Sequence, residues 1–413
     1  MNKALIFPKG FLWGSSTSAY QVEGGNFNCD WWQFEQKGKI KDGSSSRLAC
    51  NHYHLFEKDL ILAQKLGHNG HRFSLEWSRI QPMPGTWDPK EVNHYQKVLG
   101  SLKRLHFTTF LTLQHFTLPL WFAKMGGWEN PQSPKIFANY VKFCAENFGK
   151  MVDFWLTINE PQVVIANGYV QGNFPPEKRN PLLAIKAANN LMGAHRQAYR
   201  EIHSVSKGAM VSFTTLQNLL SPSRAWFIPE IMATKFFSYI QNDWFLNQAG
   251  NCLDFIGLDF YHTSKVRCNL FPEFVQEGRE VSDLGWVICP KAIYEILKNL
   301  SQRNLPLYIT ENGIADADDD QRPSFILRYL TWVWKALQEG IDVRSYLHWT
   351  LMDNFEWCEG ISAKFGLCQT NYESLERVPR KSAKMFKEII EANGITESIV
   401  KKYEPNLRKE IFR

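Results

Sequence analysis

The sequence predicts an α/β protein, a single (β/α)8 TIM barrel over residues 1–413. Three observations carry this expectation. Eight short apolar runs are spread from end to end, amphipathic stretches alternate with them, and no Gly/Ser linker or low-complexity tract divides the chain. A chain of this length often holds two or three domains, but α/β barrels reach it as one. A doubly wound sheet would want a Gly-rich GxGxxG turn after an early strand, and none is present.

The first four runs are FLWGSS from Phe11, HRFSLEW from His71, TTFLTLQHF from Thr108 and DFWLTINEP from Asp153. AMVSFTTL from Ala209, LDFIGLDFY from Leu253, PLYITENG from Pro306 and VRSYLHWTL from Val343 complete the set. Each is rich in β-branched or aromatic residues and nearly continuous in hydrophobicity. That pattern suits strands buried on both faces, as parallel strands are. Helix-period spacing marks Leu55 to Leu66, Pro134 to Phe148, Pro290 to Leu300, Pro323 to Leu337 and Ser382 to Ile390. Pro290 and Pro323 fall where proline is welcome, in a first helical turn. The polar run Asp316 to Gln321 reads as a surface loop.

Composition narrows the class. With 44% hydrophobic and 21% charged residues the chain can bury a large core, which excludes disorder as its main state. The net charge of +6, from 47 basic and 41 acidic residues, is spread without blocks, so nucleic acid is not expected as a partner. Eight cysteines occur without a CxxC pair, which points to free thiols and a cytoplasmic protein. No signal-like apolar segment opens the sequence, and no run is long enough to span a membrane. Aromatic content is high, at 14% with 15 Trp. That fits a large core, or a surface on which sugars stack.

In a barrel, chemistry sits where strands end and βα loops begin. The fourth run ends Asn159-Glu160-Pro161 and the seventh Thr310-Glu311-Asn312-Gly313. A barrel brings strand ends to one mouth, so Glu160 and Glu311 can face each other. Paired carboxylates serve glycosidic cleavage, one as a protonated acid and the other as an ionised nucleophile or base. Either glutamate could instead be a salt-bridged strand-end residue. Gln21, His115, Tyr261, Trp349, Glu356 and Trp357 also fall at or just beyond strand ends, and Arg72 lies in the second strand. Singly, each has a plain structural reading: Arg72 an ion pair, His115 a satisfied core histidine, Trp349 packing. Their coincidence favours a site. An arginine beside Glu311 is expected to lower its pKa and keep it ionised.

These segments resemble glycoside hydrolase family 1, the retaining β-glucosidases and β-glycosidases, over nearly the whole chain. FLWGSSTSAYQVEG resembles the family's N-terminal signature, and Asn51-His52-Tyr53-His54 through RFSLEWSRI its second block. TINEP resembles the acid/base motif, YITENG the nucleophile motif, and HWTLMDNFEW followed by KFGL the C-terminal sugar-binding block. In this order and spacing the set is highly specific. The resemblance implies Glu160 as acid/base and Glu311 as nucleophile. It implies Asn159 at the sugar 2-hydroxyl, and Gln21, His115, Glu356 and Trp357 at the others. Trp349 would form the floor, Trp286 the aglycone platform, and Arg72 and Tyr261 would support Glu311.

Several positions depart from the family. Asn-Tyr-Tyr after the sixth strand is replaced by Asp259-Phe260-Tyr261, and His-Trp by His115-Phe116. Asp259 adds a carboxylate that could raise a neighbouring acid's pKa. Loops near 247–252 and 262–285 are shorter than in typical members, which implies a more open mouth. No metal or cofactor is implied. The implied partner is a small-molecule β-glycoside or oligosaccharide, and the sequence is silent on oligomeric state. A 6-phospho-β-glycosidase is disfavoured because Glu356 places a carboxylate where phosphate would sit. A thioglucosidase would dispense with Glu160. A sugar-binding protein without activity is the reading from another class.

Overall fold

A computed structural model describes residues 3–269, 272–278 and 280–412 of the chain. All eight apolar runs form parallel strands. They are β1 (Leu12–Ser16), β2 (Gly70–Ser74), β3 (Thr108–Thr112) and β4 (Phe154–Leu156). The fifth, β5, is broken at Phe213 into Met210–Ser212 and Thr214–Leu216. Its first half pairs with β4 and its second with β6 (Ile256–Phe260). The ring continues through β7 (Leu307–Asn312) and β8 (Val343–Trp349), and β8 pairs with β1 from Ser345 opposite Leu12 to Trp349 opposite Ser16. The expected (β/α)8 barrel is the observed architecture.

Helices sheathe the ring. They are α1 (His52–Lys65), α2 (Pro89–Arg104), α3 (Ser133–Phe148) and α4 (Pro181–Val205). Next comes α5, Ile228–Ser238 continued by a π-helical turn Tyr239–Asp243 and by Trp244–Ala249. Then follow α6 (Pro290–Ser301), α7 (Arg322–Gln338) and α8 (Lys381–Glu391). The five helical stretches read from sequence match α1, α3, α6, α7 and α8 to within a few residues. The largest apolar cluster lies between strands and helices.

Inside the ring, side chains separate by depth. Phe110, Leu156, Phe255, Tyr308 and Leu347 form an apolar plug, with Leu12, Phe154 and Met210 against it. Successive strand residues point to opposite faces. On β6 the face of Phe255 therefore carries Gly257, Asp259 and, just past the strand, Tyr261. The inner wall above the plug is thin where β1 meets β2. A Cβ on Gly14 would lie 1.7 Å from the Gly70 carbonyl oxygen, and Leu347 fills the space beside both glycines. A larger residue at Gly14 would push β1 away from β2, whereas one at Gly70 would press on Leu347.

Beside the mouth, Thr263–Cys268 runs parallel to Leu219–Pro222 and antiparallel to Pro272–Val275, forming a small outer sheet. Ala4–Ile6 pairs antiparallel with Gly394–Thr396 in a separate two-stranded sheet. The run Asp316 to Gln321 is only partly the surface loop the sequence predicts. Asp316 is fully buried, and its Oδ2 accepts from the backbone N–H groups of Gln321 and Arg322 at the start of α7. Asp319 pairs with buried Arg322 and accepts from Ser382. Its polarity serves a helix N-terminus and an internal ion pair rather than solvent. All eight cysteines are free thiols, four of them buried. Among the described residues, no helix is long and apolar enough to cross a membrane.

Candidate active site

The site is built at the C-terminal rim of the strands. Arg72 projects from β2 and is fully buried. Its Nη1 donates to Glu311 Oε1, its Nη2 to Asn159 Oδ1, and its Nε to Thr112 Oγ1 at 3.0 Å. Glu311 reaches this point because β7 slips register at Ile309–Glu311 against β6, and again before Asn312 against β8. A bulge of this kind re-aims side chains. Here Thr310 turns to β6, where its hydroxyl donates to Asp259 Oδ1 at 2.6 Å, while Glu311 faces the mouth. The second Glu311 oxygen accepts from the Tyr261 hydroxyl.

Glu160 ends the segment after β4. Its backbone is left-handed, with φ of +39°, immediately before Pro161 opens a short helix. Two other lining residues, Phe116 at +70° and Trp357 at +52°, share that conformation. Non-glycine residues adopt it at a cost, and it clusters where surroundings over-determine it. The Glu160 carboxyl is buried, and its Oε1 has no hydrogen-bond partner. Carboxylate oxygens of Glu160, Asp259 and Glu311 all lie within 4.8 Å of one another.

This crowding sets the electrostatics. Burial raises the Glu160 pKa well above the usual carboxylate range, with Asp259 and then Glu311 adding to it and Arg72 opposing. Glu311 is pushed up to about 8 by burial and by Asp259, against Arg72 and Tyr261. The expectation that an arginine holds Glu311 below its ordinary value is therefore corrected. Arg72 does pull in that direction, but burial and the third carboxylate outweigh it. Asp259 itself is raised by burial, with Arg72, Thr310 and Thr214 opposing.

The remaining sequence-derived residues converge on one cleft of about 860 Å3. His115, Asn159, Tyr261, Trp349, Glu356 and Trp357 line it, as do Trp286, His262 and Leu216. The His115 ring stacks on Trp349 and Trp357, with centroids 6.0 and 5.9 Å away. Its Nε2 faces the Asn159 amide at 3.2 Å, and burial followed by Arg72 keeps the imidazole neutral. Glu356 Oε2 accepts from Trp349 Nε1 at 3.3 Å and Gln21 Nε2 at 3.2 Å. Burial pushes the Glu356 carboxyl up to about 8 despite these donors. Gln21 is fully buried and lies behind Glu356, also donating to Asn354 and accepting from Ser18. Arg72 likewise backs the cleft rather than lining it.

Sequence reasoning passed over the hydroxyls beneath the cleft. Thr112 receives Arg72, Thr214 donates to Asn159 Oδ1 at 2.7 Å, and Thr310 holds Asp259. It also passed over Phe174, which packs on Phe116 and Trp357, and His262, 5.1 Å from Trp286. Strand parity was the available signal for the threonines, since each lies on an inward face. Three carboxylates are a donor set for a hard cation, but here the Arg72 guanidinium already sits among them.

The model of the Glycosyl hydrolase family 1 matches residues 3–253 and 253–395. A β-galactosidase from Pyrococcus woesei is 31% identical over 505 aligned positions, covering 95% of this chain and 99% of the relative. Among solved structures, a β-glycosidase from Pyrococcus horikoshii matches with a TM-score of 0.92 and 36% identity over 97% of this chain and 98% of that one. A β-glucosidase from Thermotoga maritima in complex with glucoimidazole gives 0.90 and 30% over 95% and 100%. With family-matching sequence from residue 3 to residue 395 and a barrel that follows solved β-glycosidases over nearly its whole length, the chain belongs to glycosyl hydrolase family 1 and is a glycoside hydrolase.

Proposed function

We propose that the protein is a retaining exo-acting β-glycosidase that prefers a terminal β-D-glucosyl residue, with Glu160 as acid/base and Glu311 as nucleophile. The observation that carries this reading is the close approach of the two carboxyls. Their oxygens come within 4.8 Å. A separation of roughly 5–5.5 Å marks nucleophilic attack, whereas an inverting enzyme keeps roughly 6.5–9.5 Å for a water. The glucoimidazole complex of one relative and the β-glucosidase and β-galactosidase names of others support a glucose-like glycone.

In this mechanism Glu311 attacks the anomeric carbon while Glu160 protonates the departing oxygen. Tyr261 and Arg72 hold both Glu311 oxygens, which fixes the attack direction. The high pKa of Glu160 keeps a proton available at neutral pH. Once a glycosyl ester forms at Glu311, its negative charge is gone. Glu160 then loses one source of its raised pKa and acts as base toward water. Asn159, His115, Glu356 and Trp357 would bind the sugar hydroxyls, above the Trp349 floor. Gln21 would orient Glu356, and Trp286 would carry the aglycone.

A phosphorylated glycone would need free cations beside Glu356. Of the cations in the cleft wall, Lys41 is paired with Glu359 and Lys39 with Glu177, and Arg179 donates to the Gln171 carbonyl. The test is a panel of p-nitrophenyl β-glucoside, β-galactoside, β-fucoside, β-mannoside and 6-phospho-β-glucoside, with Glu160→Gln and Glu311→Gln alongside. Release from the β-glucoside that is lost in both variants is expected. Binding without release from any member would favour a sugar-binding protein instead.

A further inference from the structure

Asp259 is buried in the wall of the barrel, two residues below Tyr261, and does not line the cleft. Its Oδ1 accepts the Thr310 hydroxyl and lies 3.8 Å from Arg72 Nη1, while its Oδ2 has no partner. One guanidinium thus faces three carboxyls, those of Glu160, Asp259 and Glu311. The other titratable groups near them are Tyr261, whose hydroxyl is committed to Glu311, Glu356, whose charge also raises Glu160, and His115, which burial keeps neutral. Arg72 bonds directly to Glu311 and only approaches Asp259, so it offsets one negative charge and leaves the other acting on the pair.

From this arrangement we infer that Asp259 is an ionised positioning residue that displaces the enzyme's whole pH window toward alkali through its charge on Glu160 and Glu311. The inference rests on the roles proposed for those two glutamates. Turnover requires Glu311 ionised and Glu160 protonated. A negative charge nearby makes both hold protons more tightly. The acid limb, set by Glu311, and the alkaline limb, set by Glu160, therefore move to higher pH together. At about 5 Å and an effective dielectric near 20, one unit charge moves a neighbour's titration by on the order of two pH units. The burial-driven rise of both glutamates, with Asp259 the first charge contributing to each, points the same way. Burial opposes the charged form of Asp259, and the Arg72 guanidinium and the Thr310 hydroxyl favour it, supplying the ionisation the effect requires.

The test is the pH dependence of kcat/KM for an aryl β-glucoside, comparing the unsubstituted enzyme with Asp259→Asn, which keeps shape and removes charge. Both limbs should shift to lower pH, by about one pH unit or more. With 2,4-dinitrophenyl β-glucoside, whose leaving group needs little protonation, the acid limb alone should report the shift of Glu311. Thr310→Val removes the donor to Asp259 without touching the pair, and should give a smaller shift in the same direction. It carries the test if Asp259→Asn does not fold. Profiles that superimpose on the parent, with activity lowered evenly at all pH values, would overturn the inference. No turnover by the unsubstituted enzyme would instead overturn the glucosidase reading beneath it.

Discussion

At Glu311, two donors grip the two carboxylate oxygens, and they differ in what they can be replaced by. Arg72 also braces Asn159 and Thr112, so its loss would disturb the whole mouth. Tyr261 gives a cleaner cut, because its hydroxyl has one partner. A hydrogen bond to a charged group contributes about 1.5–3 kcal/mol. Tyr261→Phe should therefore lower kcat/KM for an aryl β-glucoside by roughly 10- to 150-fold. It should also raise the acid limb, since Glu311 loses a donor that favours its ionised form. An unchanged acid limb would remove Tyr261 from that role. Glu311→Gly probes the nucleophile itself. External azide should rescue it and yield a glycosyl azide of inverted anomeric configuration, and absence of that product would count against Glu311. The residue roles came from motif order, but the electrostatics did not. A sequence shows that Arg72 lies in the second strand and that Glu311 ends the seventh. It does not show how deeply they are buried, and burial outweighs the arginine here.

At the scale of elements, strands were more legible than helices. Every strand announced itself, because a parallel strand buried on both faces reads as a short, nearly continuous run of β-branched, aromatic and other apolar residues, here with few polar interruptions such as Arg72 and Asp259. Helices α2, α4 and α5 gave weaker signals. α2 carries several charged and polar residues, and the apolar positions of α4 are largely alanine. The apolar residues of α5 lie on more than one face, with Ile228, Met232 and Phe236 exposed. The loop before α7 misled for a different reason. Consecutive aspartates look like solvent-facing residues, yet Asp316 and Asp319 are buried because Arg322 and the α7 N–H groups receive them. Arg322 is fully buried, and its guanidinium also donates to the carbonyls of Asp316 and Lys364. Truncating one member of a buried pair typically costs about 3–5 kcal/mol. Arg322→Ala should lose about that much stability in denaturant unfolding, and a loss below about 1 kcal/mol would show that the loop reorganises freely.

For the whole molecule, the notable property is how many titratable groups are held neutral. Burial depresses His68 and His71 to about 3 and His195 to about 4. Their contribution is present above the unfolded value of about 6.5 and is lost as pH falls toward the folded values. Asp30 is raised by burial to about 7, and Glu356 to about 8. Their contribution is present at low pH and is lost as pH rises through the folded values. Between about pH 4.5 and 6.5 the two sets oppose each other. Below that range only the histidines act, and between 6.5 and 8 only the acids. Melting temperature should therefore fall on both sides, including a decline from pH 6.5 to 8 in thermal scans. A rise across that interval would contradict the assignment of buried neutral acids.

The pairing of β8 with β1 has a consequence in time. Ser16 is made long before its partner Trp349, and ribosomes add about 5–20 residues per second. The first strand of the ring therefore waits on the order of 20–60 s for the neighbour that covers its open side. During that interval the nascent ring is an incomplete sheet with a bare edge, in which backbone donors and acceptors of β1 face whatever lies nearby. Closure waits until the strand carrying Trp349 has left the exit tunnel.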